Sequence, residues 1–182
     1  MKQIKHFLLT VAMLLCSISA SAHDFEVNGI YYNILPNVYR SVEVTYEGDS
    51  YFSAKYNGNV TIPNSVTYNG FTYSVTAIGE EAFYDCSSLT SMSIPEGVTR
   101  IGTRAFYGCS SLTSISIPEG MTRIGFNAFY GCSSLVSIII PNSVTLIESA
   151  AFSGCTGLAS ISLPSSLTKI WSSTFSGCSN LS

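Results

Sequence analysis

The sequence predicts a solenoid, a rod of stacked, nearly identical units that each carry one short strand. Three observations predict it. Phe recurs at Phe83, Phe106, Phe129, Phe152 and Phe175, Cys at Cys86, Cys109, Cys132, Cys155 and Cys178, and Leu at Leu89, Leu112, Leu135, Leu158 and Leu181, always 23 residues apart. Pro95, Pro118, Pro141 and Pro164 keep the same interval. A fixed period shared by four residue types is the mark of a repeat architecture. Within Ile101–Arg123 the apolar positions are Ile101, Ala105, Phe106, Cys109, Leu112, Ile115, Ile117 and Met121. One unit cannot bury all of these, whereas stacked units share a core, at roughly 1.5–3 kcal/mol for each fully buried large side chain. Finally, Leu112-x-x-Ile115-x-Ile117 alternates as a strand does, and Pro118 ends it by lacking the N–H a ladder uses.

The chain divides accordingly. Residues 1–22 read as a secretory signal: Lys2 and Lys5 precede the apolar run Phe7–Ile18, and Ala20-Ser21-Ala22 forms a small-x-small cleavage site before His23. A lipid anchor at Cys16 fits less well, because bulky Leu15 stands where a small residue is expected. Residues 23–61 read as a β-rich N-terminal cap. Asn28-Gly29, between Phe25-Glu26-Val27 and Ile30-Tyr31-Tyr32, signals a hairpin, and Val42–Tyr46 alternates as a half-buried strand. Residues 62–182 form the solenoid. Its degenerate first unit, 62–77, carries a second hairpin signal at Asn69-Gly70, which absorbs nine residues beyond the period between Pro63 and Pro95. Four full units occupy 78–169 and a partial unit 170–182. The segment from Ile101 to Tyr107 is expected to return along the opposite wall as a short helical or 3-10 turn. The partial last unit suggests an uncapped edge through which the chain could self-associate.

Composition narrows the function. Removing the signal leaves six basic and eleven acidic residues, a net of −5. An acidic chain without a basic stripe argues against nucleic acid and anionic lipid as partners. No run beyond the signal is long and apolar enough to span a bilayer. His23 is the one histidine after the signal, so the five cysteines and many serines have no internal base to activate them. Neither an enzyme nor a cofactor site is expected. A ladder of cysteines spreads its sulfurs along an axis instead of converging them on a metal. The five read as small buried hydrophobes, with disulfide pairing disfavoured by their odd number and parallel directions. Glu80-Glu81 occurs in one unit and reads as a solvated edge.

The pattern from Leu112 to Leu135, Leu-x-x-Ile-x-Ile-Pro-x-x-Met-x-x-Ile-x-x-x-Ala-Phe-x-x-Cys-x-x-Leu, resembles the BspA-type leucine-rich repeat. The resemblance covers Ile62–Ser182, and Phe25–Tyr32 resembles the segment that precedes such repeats. It implies a leucine-rich repeat solenoid with a parallel β-sheet on the concave face and a β-hairpin cap. It also implies a protein secreted or displayed by bacteria of the Bacteroides kind or by mucosal protists, adhering to host matrix proteins, other bacteria or epithelial cells.

Such proteins bind partners on the concave sheet, which here presents Ser91, Ser93, Ser114, Ser116, Ser137, Ile139, Ser160 and Ser162, flanked by Glu96, Glu119, Asn142 and Ser165. The competing reading is that Ser is a soluble, strand-compatible filler, and Ile139 is the exception among serines. Tyr84, Tyr107 and Tyr130 form a second column, which packs between units or offers rings to a glycan. Asn59-Val60-Thr61 and Asn180-Leu181-Ser182 match the glycosylation pattern, which matters in a eukaryotic source.

Overall fold

The computed structural model describes residues 23–48 and 56–182, so the expected signal segment lies outside the described residues. Two walls of parallel strands run along the rod, joined at each level by turns. The first wall holds β4 (Gly58–Thr61), β7 (Leu89–Ser93), β9 (Ser114–Ser116), β11 (Ser137–Ile139) and β13 (Ser160–Ser162). The second holds β3 (Ser41–Thr45), β6 (Phe71–Ile78) and the two-residue strands β8 (Arg100–Ile101), β10 (Arg123–Ile124) and β12 (Leu146–Ile147). This second ladder runs unbroken in the order β3-β6-β8-β10-β12, every pair parallel.

The N-terminal segment extends the second wall. Antiparallel β1 (Phe25–Val27) and β2 (Ile30–Ile34) close over Asn28 and Gly29, whose φ values of 52° and 78° a two-residue hairpin turn requires. β2 pairs with β3, which stacks on β6 as another rung would. The second hairpin, β5 (Ser65–Tyr68) with β6, turns at Asn69-Gly70 (φ 48° and 77°). Phe25 stacks on Tyr68 with ring centroids 4.2 Å apart.

Between the walls the repeated apolar residues form columns. Phe83, Phe106, Phe129 and Phe152 are fully buried, and their rings stack nearly parallel at 5.0, 5.1 and 5.2 Å, with Phe175 continuing at 5.8 Å. Tyr56 covers the N-terminal end of this column, 4.5 Å from Phe83. Its hydroxyl donates to the Thr45 carbonyl (2.8 Å) and accepts the Tyr31 N–H (3.1 Å), so one ring ties the cap to the rod.

The expected helical or 3-10 turn on the return segment is not there; the segment is built of turns. Within the return segment each unit places one residue in the left-handed region: Glu81 (φ 56°), Arg104 (52°), Asn127 (55°), Ala150 (56°) and Ser173 (59°). One such residue breaks a right-handed helix. Every second backbone donor of the segment points along the rod. Arg104, Phe106 and Gly108 N–H donate to the carbonyls of Phe126, Ala128 and Tyr130 at 2.8, 2.7 and 2.8 Å, and the next unit repeats the arrangement. The intervening donors close turns within the unit, such as Tyr107 N–H to the Arg104 carbonyl at 3.1 Å, so bonds between units alternate with bonds inside them and no helical run forms.

Candidate functional site

The residues singled out on the first wall stand in two rows. Ser91, Ser114, Ser137 and Ser160 form one, and Ser93, Ser116, Ile139 and Ser162 the other. Their strands alternate, so Met92, Ile115 and Ile138 between them turn into the core. Cross-strand partners are Ser91 with Ser114 and Ser93 with Ser116, then Ser137 with Ser160 and Ile139 with Ser162. All are exposed except Ser91, which is half-buried and donates to the Asn59 side chain at 2.8 Å. Asn59 also accepts from Thr90 (2.9 Å), so its amide locks the first strand of this wall to the second.

The first wall is not one sheet. β4, β7 and β9 form one ladder and β11 with β13 another, and no pairing joins β9 to β11. Between them opens a groove of about 370 Å³, with Ile115, Ile117 and Ile138 beneath and Ser116, Glu119 and Ile139 at the rim. Ile139 is 74% exposed, well beyond what an isoleucine in a core sheet shows. The sequence had marked Ile139 as anomalous. It gave no sign of the break, because the strand residues on either side of it obey the repeat.

Charge is segregated between the walls. Arg100, Arg104 and Arg123 pair with Glu43, Glu81 and Glu148 away from the serine rows. Glu148 also accepts the Phe126 N–H at 2.9 Å. Among the described residues the serine wall and the turns directly following its strands carry only Glu96 and Glu119 as charged groups, both exposed and without an ion pair.

Tyr84, Tyr107 and Tyr130 stack on the turn side at 4.8 and 4.7 Å with near-parallel rings, and Tyr130 stays 37% exposed. A further pair of exposed aromatics, Phe126 and Trp171, borders a smaller cleft of about 250 Å³ over Leu146 and Glu148. Lys169 lies 3.6 Å over the Trp171 ring. Sequence reasoning passed over these two. The signal was their column: Phe126 replaces Thr103, and Trp171 replaces Gly102 and Gly125 at equivalent positions.

Cys86, Cys109, Cys132, Cys155 and Cys178 stand as thiols in one column. Four of them donate to a phenylalanine carbonyl of the preceding unit: Cys109 to Phe83 (3.0 Å), Cys132 to Phe106 (3.2 Å), Cys155 to Phe129 and Cys178 to Phe152 (both 3.1 Å). Burial pushes the Cys109 and Cys132 thiols well above their usual pKa. Such thiols are poor nucleophiles and poor metal ligands. Among the described residues no three His, Cys, Asp or Glu side chains gather as a metal site would need. No helix among them is long and apolar enough to cross a membrane.

Two parallel walls, a shared core of columns and hydrogen bonds handed from unit to unit define a leucine-rich repeat solenoid. The chain belongs to the BspA-type leucine-rich repeat family, whose repeat region matches six copies over residues 48–182. Among solved structures it is similar to a leucine-rich repeat protein of Bacteroides ovatus, at 33% identity and a TM-score of 0.67, over 87% of this chain and 46% of that one. It is also similar to a leucine-rich cell surface protein of Faecalibacterium prausnitzii, at 32% identity and a TM-score of 0.73, over 86% of this chain and 41% of that one. The leucine-rich repeat protein of T. pallidum matches at 28% identity and a TM-score of 0.65, over 86% and 79%. The chain thus spans less than half the length of the first two. No curated protein matched it. No enzyme family is indicated; repeats of this type are binding modules.

Proposed function

We propose that the chain is an exported leucine-rich repeat protein that binds proteins of the host matrix or of other bacterial surfaces. The partner-binding residues are Ser91, Ser93, Ser114, Ser116, Ser137, Ile139, Ser160 and Ser162. The observation that carries this reading is the pair of hydroxyl rows held in register within each of the two ladders of the first wall, with one large apolar side chain, Ile139, standing among them. Small polar side chains leave the wall open to a partner's surface, and an exposed apolar residue supplies the kind of anchor that interfaces use. Kinship with a protein described as a cell surface protein supports the location, as does the basic-apolar-small pattern of residues 1–22.

The test is binding of the purified chain to immobilised fibronectin, fibrinogen, collagen and laminin, beside a variant carrying Ser114→Glu and Ser137→Glu. Saturable binding to one of them, lost in the variant, is the expected result. Failure to bind any of them at micromolar concentration sinks the matrix reading.

A second reading, a glycan-binding module, is favoured by the stack of Tyr84, Tyr107 and Tyr130 with its partly exposed rings. A glycan array decides it: a blank array at high protein concentration removes the reading.

A further inference from the structure

We propose that the break between β9 and β11 is a receptor slot for an extended, positively charged protein segment, which seats one apolar side chain between the two strands. This rests on the reading of the serine wall as the partner-binding face and names the chemistry of the partner there.

The break is local. Thr113 N–H donates to the Thr90 carbonyl (2.9 Å), and Ala159 N–H donates to the Val136 carbonyl (2.9 Å). The equivalent rung between them, Val136 to Thr113, is missing, although units on both sides are complete and the second wall is continuous at the same level. Two strand edges therefore face each other unpaired on the exposed wall. The gap is too narrow for a further strand, but the unpaired N–H and C=O groups at its mouth can meet polar groups of a segment lying across the wall while a side chain enters the opening.

The opening is also sized and lined for a side chain. Its volume of about 370 Å³ lies near the lower end for ligand sites, and Ile115, Ile117 and Ile138 give it an apolar floor. Ile139 forms an apolar lip at the position where the neighbouring units carry Ser93, Ser116 and Ser162. The repeat is thus broken in backbone pairing and in side-chain identity at one place.

Charge selects the occupant. Glu119 stands at the rim and Glu96 in the equivalent turn one unit away, 23 residues earlier in sequence. The arginines that could neutralise them are engaged by Glu43, Glu81 and Glu148 on other faces. A segment rich in Lys or Arg complements this wall, whereas phosphate, sulfated glycan or acidic peptide is repelled.

Three labelled peptides of alternating sequence test the slot by fluorescence anisotropy with the purified chain: lysine–leucine, lysine–serine and glutamate–leucine. The lysine–leucine peptide is expected to bind, and to bind less well as salt is raised. The other two are expected not to bind. Ile139→Ser restores the residue the repeat uses elsewhere, so the fold is kept, and affinity for the lysine–leucine peptide should fall about tenfold. Glu119→Gln should flatten the salt dependence. Equal binding of all three peptides, absence of binding, or indifference to Ile139→Ser overturns the slot. The matrix assay run on the same samples separates the two ideas. Matrix binding lost with Ser114→Glu and Ser137→Glu, with no lysine–leucine peptide bound by the unsubstituted chain, leaves the adhesion reading standing and removes the slot. Peptide binding lost in Ile139→Ser, with no matrix protein bound, supports the slot and removes the matrix reading.

Discussion

From Cys109 onward each cysteine of the repeat is a small apolar filler with one polar obligation, and the preceding unit meets it. A thiol that donates to a phenylalanine carbonyl in a dry column is held in its neutral form. Two outcomes follow. Ellman's reagent at neutral pH should label Cys178, which is only half-buried, before Cys86, Cys109, Cys132 and Cys155, which should react only on unfolding. Stability should also fall in alkali. The folded pKa of Cys109 and Cys132 is raised, so their contribution is intact below the unfolded thiol value of about 8.5. It is lost as pH climbs from there toward the folded value, because the unfolded chain alone releases the protons. The urea midpoint followed against pH measures this. At the same scale, Phe129 is fully buried and stacked on both sides. Phe129→Ala should cost about 3–5 kcal/mol, read as a lowered denaturation midpoint; a shift of less than a few degrees in melting temperature would refute its place in the core.

At the level of elements, close backbone approach governs the second wall. A Cβ on Gly125 would lie 2.7 Å from the Gly102 carbonyl carbon, and one on Gly102 would lie 2.7 Å from the Glu80 nitrogen. These contacts are with backbone and cannot be relieved by a rotamer. Gly125→Ala should therefore destabilise by about 1–3 kcal/mol in chemical denaturation, whereas alanine is an ordinary helix-favouring change elsewhere. The same elements show what the sequence could and could not convey. The first-wall strands were legible because Ile115 and Ile117 alternate and Pro118 stops them. Both hairpins were legible because Asn-Gly meets the need for positive φ. The return segment was misread, since Ala105-Phe106-Tyr107 carries helix-compatible residues while the N–H groups of Arg104, Phe106 and Gly108 are claimed by the next unit, which no local pattern reveals. The two-residue strands of the second wall are too short to give a period. Of the candidate site, the serine rows and Ile139 could be read from register. The break beside Ile139 could not, because pairing between strands is a property of two units at once.

In the whole molecule, the cap and the rod are one continuous structure joined at Tyr56. Burial pushes the Tyr56 hydroxyl far above its usual pKa, and it bridges Tyr31 and Thr45. Tyr56→Phe keeps the ring over Phe83 but leaves an N–H and a carbonyl unmet, at about 1–3 kcal/mol. Hydrogen exchange should then quicken at Tyr31 and along β2 before it changes in the Phe106 or Phe129 units; uniform quickening along the rod would contradict that coupling. Beyond Tyr56 every level is tied to the next by short bonds that lie along the long axis, from Phe106 to Ala128 and from Phe129 to Ala151. Tension between the two ends would load these rungs one after another. The rod would lengthen in even steps, each releasing one 23-residue unit and about 80 Å of chain. A protein pulled between two surfaces would then behave as a shock absorber, yielding by measured lengths before its grip is lost.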